Sequence, residues 1–120
     1  MLWKADLRKA KLYYADLSDA DLTGADLSNA YLAGATLHDA KLIGTNLREA
    51  DLREANLIGA DLSLAKLSGA NLSNAYLRDT NLIGADLSDA DLSDVQVTQA
   101  QLDVARSLEG ATLPQDSTHD

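Results

Sequence analysis

Every fifth residue of this chain is leucine over most of its length. From position 2 to position 97, Leu occupies nineteen of twenty positions in this register, and Val97 is the exception. Two residues before each of them, Ala occupies sixteen of nineteen positions from 5 to 95, and the departures are Thr45, Thr80 and Val95. Any fold of this chain must therefore give the same buried environment to one large and one small apolar side chain in each quintet.

This period excludes a long α-helix. Because an α-helix turns by about 100° per residue, successive leucines would be rotated by about 140° and would not form one apolar stripe. In an extended segment, Ala and the Leu two residues later point to the same side. The three residues from Leu to the next Ala are an odd step, which reverses the side unless the chain turns there. Each quintet is therefore predicted to be a short extended piece followed by a bend.

The bend is predicted at the second residue after Leu. Six of the seven Gly fall in this register, and most of the other residues there are Asp, Asn or Glu. Gly and Asn adopt positive φ at little cost, and Asp can hydrogen-bond to the backbone of a turn. Bends repeated in one sense coil the chain into a solenoid, in which stacked coils pair as parallel strands.

The motif Ala-Asp/Asn-Leu-x-x, as in Ala5-Asp6-Leu7 and Ala85-Asp86-Leu87, resembles the pentapeptide-repeat family over residues 2 to about 97. This resemblance implies an all-β solenoid, a right-handed quadrilateral parallel β-helix with four quintets per coil and with Leu and Ala inside. It implies about five coils for this chain. The sequence alone leaves the coil length open, because the near-copies Asn56–Asp61 and Asn81–Asp86 lie 25 residues apart.

Three segments are predicted: a pentapeptide-repeat β-helix over 1–97, a helical cap over 98–114 and a flexible tail over 115–120. Thr98 and Gln101 fit a capping box, and Gly110 is a stop signal. Leu102, Ala105 and Leu108 would share one helical face. This pattern predicts a helix near 99–108 that covers the last coil. Residues 101–114 are similar to the C-terminal caps of cyanobacterial members of the family.

No comparable cap is predicted at the N-terminal end, because Leu2 is already in register. Trp3, Tyr13 and Tyr14 lie in this first coil, and two interpretations remain open for them. They fold under the coil as an improvised cap, which is the favoured interpretation, or they form a ligand cage. An uncovered edge invites pairing with another chain, so a weak homodimer through these three residues is expected.

The charge distribution argues against nucleic acid and anionic membranes as direct partners. The net charge is −9, whereas both partners require a basic face. The charge is +1 over residues 1–20, −3 over 21–85 and −7 over 86–120. Cys is absent, and no apolar run is long enough for a membrane span. The start lacks the layout of a signal peptide, so a soluble protein is expected, with the cytoplasm as the default compartment.

No catalytic, cofactor or metal site is predicted. His38 is the only His in the repeats, so no His pair is available for zinc or for a nucleophile and its base. Phosphate-binding loops, a dinucleotide fingerprint, a nucleophile elbow and calcium loops are also absent. The densest acidic group has two interpretations, a solvated surface that also serves turns or a patch that imitates DNA or attracts cations, and the first is favoured. It consists of Asp86, Asp89, Asp91 and Asp94.

Four apolar residues occupy registers that should face water: Ile43, Ile58, Leu64 and Ile83. In four-quintet coils, Ile43 and Ile83 fall two coils apart, Leu64 lies between their levels, and Ile58 belongs to the neighbouring face. These residues are the candidate protein-binding patch.

Two functions are compared. The first is a non-catalytic interaction or scaffold module whose partner is an unidentified protein, because a rod with a uniform core offers only its surface for function. The alternative comes from the resemblance, since some family members imitate duplex DNA and modulate DNA gyrase. This chain departs from those members: it has Leu and no Phe at the central core register, no inserted loop, and a predicted helix where an aromatic dimer contact would be expected.

Overall fold

The computed structural model describes residues 3–114. The predicted tail over 115–120 and the first in-register leucine, Leu2, therefore lie outside the described residues. Within this range, the regular elements are one short helix, α1 over Gln99–Asp103, and a ladder of parallel single-residue bridges. No helix of this part of the chain is both long and apolar enough to cross a membrane.

The bridges join residues that are 20 positions apart, from Asp6 with Asp26 to Tyr76 with Gln96. One coil therefore contains four quintets, as the family resemblance implied. Each bridge residue directly precedes a Leu, or Val97 in the case of Gln96. Because the chain turns directly after each Leu, the pairing does not extend into longer strands.

We number the faces of the coil in chain order, and each corner takes the number of the face before it. In the first coil, the faces are 5–7, 10–12, 15–17 and 20–22, and the corners are 8–9, 13–14, 18–19 and 23–24. The same faces and corners recur at steps of 20 residues.

Three backbone hydrogen bonds join each quintet to the neighbouring coil. The Leu7 N–H donates to the Asp26 C=O at 2.7 Å, the Asp26 N–H donates to the Ala5 C=O at 2.8 Å, and the Lys9 N–H donates to the Ser28 C=O at 3.0 Å. The same set recurs in the following coils, so the ladder satisfies most backbone polar groups of the rod.

The corners have the predicted conformation. The Ala10 N–H donates to the Leu7 C=O at 3.0 Å, and Lys9 between them has φ 61°, as at the third position of a type II turn. Every second residue after Leu, from Lys4 to Asp94, has positive φ, whether or not it is Gly. The prediction of the bend position is therefore confirmed.

The Asp or Asn before each Leu also supports a corner. The Asp61 Oδ1, for example, accepts a hydrogen bond from the Ser63 backbone N–H at 2.9 Å. All twelve Asp and Asn residues at this register between residues 3 and 114 accept the equivalent bond. The N–H after Leu is the one backbone donor of the quintet that the ladder and the turn leave free. The preference for Asp or Asn therefore follows from backbone hydrogen bonding.

The interior is built from stacked Leu and Ala, and it is closed from Leu22 onwards. Two departures from Ala are accommodated by hydrogen bonds. The buried Thr45 hydroxyl donates to the Leu42 C=O at 2.9 Å, and the buried Thr80 hydroxyl donates to the Leu57 C=O at 2.7 Å. No buried side-chain polar atom of the described residues lacks a partner, so these threonines do not mark a binding site.

The C-terminal helix is shorter than the sequence suggested. The capping box is confirmed: the Thr98 side chain and the Gln101 side chain each accept a hydrogen bond from the other residue's backbone N–H. The prediction that the helix extends to residue 108 is wrong. It ends at Asp103, and the chain then rejoins the ladder, where Ser107 pairs with Asp86 and Thr112 with Asp91. Backbone hydrogen bonds between residues 104–112 and the edge of the last regular coil form in place of the hydrogen bonds of a longer helix.

Gln101 joins α1 to the preceding coil. Its Nε2 donates to the Leu77 C=O at 2.8 Å and to the Thr80 C=O at 3.1 Å, while its Oε1 accepts from the Thr98 N–H at 3.0 Å. We therefore expect Gln101→Ala to lower the free energy of unfolding by about 1–3 kcal/mol, because the capping box and both bonds to the coil are lost. Urea titration followed by circular dichroism measures this.

Gln99→Ala is the matched control. Within residues 3–114, the Gln99 side chain bonds only to the exposed Asp103 of the same helix, so its loss should cost less than about 0.5 kcal/mol. Equal effects of the two substitutions would show that Gln101 does not hold the helix to the coil.

Candidate interaction surfaces

One corner of the rod has no charged side chain in four successive layers. This is the fourth corner, where Thr23, Gly24, Ile43, Gly44, Ser63, Leu64, Ile83 and Gly84 follow one another. The other three corners carry charges in their middle or upper layers, as Glu49, Glu54 and Asp79 illustrate. The fourth corner is therefore the part of the shell with the lowest desolvation cost for a protein partner.

The structure places three of the predicted patch residues on this corner and adds a fourth, Val104. The Leu64 N–H donates to the Ile83 C=O, and the Gly84 N–H donates to the Val104 C=O, each at 2.8 Å, so Ile83 and Val104 occupy equivalent places in consecutive layers. Leu64 is 63% exposed, Ile83 56% and Val104 45%, whereas Ile43 is half-buried. We call Ile43, Leu64, Ile83 and Val104 the apolar strip.

Gly84 makes room for the strip. A Cβ on this residue would lie 2.8 Å from the Leu64 Cδ2, which is closer than side chains approach. Gly84 also has φ 70°, where a Cβ is strained. Leu64 therefore lies against the next layer beside Ile83.

Ile58 is not part of the strip. It lies at the third corner, is half-buried, and lines a groove with Tyr76 and Leu77. The fourth face separates it from the strip.

The N-terminal interior of the rod is less covered than the rest. Leu7, Leu12 and Leu17 are only half-buried, whereas the leucines from Leu22 to Leu92 are buried. Trp3, Tyr13 and Tyr14 are all exposed. The favoured interpretation of these residues as a cap does not fit this exposure.

The two tyrosines are directed to the second coil. The Tyr13 ring stacks on the Tyr31 ring, with centroids 5.6 Å apart and an interplanar angle of 28°. The Tyr14 ring lies over Gly34. The Trp3 ring instead makes a cation–π contact with the Lys4 ammonium, whose Nζ lies 4.7 Å from the ring centroid. Tyr13 and Tyr14 therefore flank the side of the rod and do not cover Leu7, Leu12 and Leu17 from below.

The acidic group near the C-terminus is tied into the turns. Asp86 accepts from the Ser88 N–H and hydroxyl, and Asp91 accepts from the same groups of Ser93. The Ser88 bonds lower the pKa of Asp86, the hydroxyl bond being the larger cause. Asp89 and Asp94 occupy positive-φ corner positions, at 58° and 59°. All four carboxylates thus occupy positions that the repeat itself gives to Asp.

Charged pairs elsewhere lie on the outer surface of the rod, where Asp51 is half-buried and Asp6, Arg8 and Arg53 are exposed. The Asp6 carboxylate accepts two bonds from the Arg8 guanidinium at 2.8 Å, which lower the pKa of Asp6 to about 2. The Arg53 guanidinium likewise donates two hydrogen bonds to the Asp51 carboxylate, which lower the pKa of that carboxyl. In the part of the chain that the structure describes, no cluster of three or more His, Asp or Glu side chains is arranged to bind a metal ion.

Comparisons with known proteins agree with this architecture. The family profile described as pentapeptide repeats (8 copies) matches residues 1–29, 30–69 and 70–105. A pentapeptide repeat protein from the thylakoid lumen of Arabidopsis thaliana is 34% identical, with a TM-score of 0.80 over 83% of this chain and 70% of that protein. A pentapeptide repeat protein from the cyanobacterium Nostoc Pcc 7120 is 33% identical, with a TM-score of 0.52 over 90% of this chain and 84% of that protein.

More distant similarity shows the fold alone. QnrB1, a plasmid-mediated fluoroquinolone resistance protein, is 19% identical, with a TM-score of 0.65 over 96% of this chain and 70% of its own. No curated protein matches the chain with significance. The solved relatives imply a right-handed quadrilateral β-helix, in agreement with the four-quintet coils. From the profile match over most of its length and two solved relatives above 30% identity, we conclude that the chain belongs to the pentapeptide-repeat family.

Proposed function

We propose that this chain is a non-catalytic interaction or scaffold module: a rod of about five coils that binds a protein partner through its side. The observation that carries this proposal is the apolar strip. Three of its four residues are exposed, it is continuous with uncharged small residues of the same corner, and the ladder hydrogen bonds fix its backbone.

The surroundings of the strip support a protein partner. The bridge residues of the two adjoining faces form polar rows beside it: Asp21, Lys41, Asp61 and Asn81 on one side, and Asp26, Asn46, Lys66 and Asp86 on the other. An apolar centre with a polar rim is the common anatomy of a protein interface. A rigid strip also loses little conformational entropy on binding.

Site-specific photo-cross-linking tests this proposal. A photoreactive amino acid is placed at Leu64 or Ile83, and at Ser28 or Ser68 on the first corner as matched controls, in the organism that encodes the chain. We expect one cross-linked protein from the strip positions, and its loss when the strip residue that does not carry the photoreactive amino acid is changed to Lys, as in Ile83→Lys with the cross-linker at position 64. Equal cross-linking from the control positions, or none from the strip, would reject the strip as the interface.

The alternative is a DNA-imitating modulator of DNA gyrase, which the charge of −7 over residues 86–120 favours. The fold likeness to QnrB1 is compatible with this function but does not argue for it. The apolar strip and the turn-bound Asp residues favour the interaction module. A supercoiling assay with DNA gyrase separates the two, because only the alternative requires this chain to change the rate of supercoiling or its inhibition by a fluoroquinolone.

Self-association is proposed at the first coil, where Leu7, Leu12 and Leu17 are half-buried and Trp3 is exposed. We expect light scattering near millimolar concentration to show a monomer–dimer equilibrium. Trp3→Glu should shift it to monomer, because the charge would have to be desolvated in the contact. Ile83→Glu, on the strip, should leave it unchanged. Monomers in the wild type, or dissociation by Ile83→Glu alone, would contradict this contact.

For the compartment, we propose the cytoplasm, although the Arabidopsis relative is a thylakoid-lumen protein. Fractionation of the cells that encode the chain, followed by immunodetection, tests this.

A further inference from the structure

A groove of about 1010 Å³ lies along the third face near the C-terminal end of the rod. Its two sides are the second and third corners, and Tyr76 lies between them. Gln101 and Pro114 close its end. This volume is at the upper end of the range of small-ligand and peptide-anchor sites.

The groove reaches the interior. Ala75, Val95 and Val97 line it, and they are 3%, 4% and 7% exposed. Every other buried apolar residue of the described chain is exposed by 1% or less. Solvent therefore reaches the apolar interior of the described coils through this groove.

Departures from the repeat account for this opening. Val97 stands where all the preceding quintets have Leu, and Val95 stands where most of them have Ala. Two inward side chains of the same face therefore differ in volume from those of the repeat. The chain then enters α1 at Gln99 and does not form the usual corner. The interior is thus left partly uncovered where the repeat stops.

The sides of the groove are acidic. By register, Glu54 and Asp94 lie on the second corner and Asp79 on the third, so carboxylates stand on both sides of the apolar floor. Among the described residues that line the groove, Arg78 is the one basic side chain. A ligand in this groove would meet apolar groups below and negative charge on either side.

We propose that this groove docks a short segment of a foreign protein that carries Arg or Lys next to an aliphatic side chain. The aliphatic side chain covers Val95 and Val97, and the cation lies between the carboxylates of Asp79 and Asp94. Charge complementarity selects this occupant. The segment after Pro114 contains two Asp and no Lys or Arg, and a second copy of this chain carries a net charge of −9, which opposes its approach to this acidic groove.

This proposal goes beyond the proposed function and does not depend on the apolar strip. Its test uses the full ¹⁵N-labelled chain and the probe N-acetyl-Leu-Arg-amide, observed by amide chemical shifts. We expect saturable shifts at Ile58, Tyr76 and Val97 with millimolar affinity. N-acetyl-Leu-Glu-amide should give none, and N-acetyl-Gly-Arg-amide should bind more weakly, because it lacks the aliphatic group.

Variants locate the charges. Asp79→Asn/Asp94→Asn should weaken binding about two- to tenfold, since two partly screened charges are removed, and added salt should have the same effect. Asn keeps the positive φ of both positions. The matched control is Asp19→Asn, at the same corner register three coils away, which should bind the probe as the wild type does.

Several outcomes would overturn the proposal. The first three are the absence of chemical-shift changes, equal changes around Asp19 and Asp39, and equal binding of the glutamyl probe. The fourth is binding that appears only when the chain is shortened to end at Pro114. The last result would assign the groove to the chain's own C-terminal segment. None of them bears on cross-linking at Leu64 or Ile83, so failure here leaves the proposed function standing.

Discussion

Replacing Leu57 with Asp should leave the chain unfolded. Leu57 is fully buried in the middle of the rod, between the equivalent residues Leu37 and Leu77. The substitution removes an apolar side chain whose loss costs about 2–5 kcal/mol, and it adds a carboxylate whose desolvation costs several more. That sum is comparable with the whole stability of a domain, about 5–15 kcal/mol. Circular dichroism and a thermal melt measure the loss of structure.

The matched control is Ser68→Asp, on the outward register of a neighbouring coil. Ser68 directly follows Leu67 at a corner, so an added carboxylate remains in water, and the free energy of unfolding should change by less than about 1 kcal/mol. Leu52→Asp should behave like Leu57→Asp, because Leu52 is also fully buried. A cooperative melt of Leu57→Asp at the wild-type temperature would contradict the inward register of leucine.

The regular part of the fold was predictable because each quintet solves the same local problem. The Ala-to-Leu spacing indicates which side is buried, and the Gly register indicates the corner. Both signals are repeated almost without interruption, so one exception such as Val97 does not obscure them. The period did not predict the coil length, because a five-residue repeat is compatible with several numbers of quintets per coil. The bridges at a spacing of 20 residues supply what the period alone could not.

The C-terminal end was predicted only in part. The capping box of Thr98 and Gln101 is a local signal, and it was recognised. The end of the helix is decided by a distant competitor, the free edge of the coil at Ala85 and Leu87. The Arg106 N–H donates to the Ala85 C=O at 2.7 Å, and the Leu87 N–H donates to the Ser107 C=O at 2.9 Å. A helical pattern in the sequence cannot indicate that these bonds are available.

The same effect limited the prediction of the candidate sites. Passage through α1 adds one residue to the coil, so Ser107 pairs with a residue 21 positions earlier and Val104 comes to lie above Ile83. Because the sequence predicted a helix through residue 104, it did not predict that Val104 belongs to the apolar strip. The groove on the third face had a sequence signal, the two valines Val95 and Val97 in a register of Ala and Leu. The two valines alone do not predict a groove, because the groove also depends on the absence of a regular corner after Val97.

Deleting residues 98–120 should convert the protein into an aggregating species. Leu82, Leu87 and Leu92 are exposed by 1% or less in the intact rod, where the C-terminal segment covers their layer. Buried Leu102 continues the fourth-face column, and half-buried Leu108 packs against the core. Without them, this layer loses apolar contacts, and four backbone donors lose their partners.

Those donors are the N–H groups of Gly84, Leu87, Asp89 and Leu92, which bond to the C=O groups of Val104, Ser107, Glu109 and Thr112. An apolar layer bordered by free ladder groups is a template for pairing with further chains. Size-exclusion chromatography and light scattering should therefore detect large, polydisperse particles. Deleting only 115–120 is the control, and it should leave both the elution volume and the melting temperature unchanged. A soluble monomer after deletion of 98–120, with the melting temperature of the intact chain, would show that the rod needs no cap at this end.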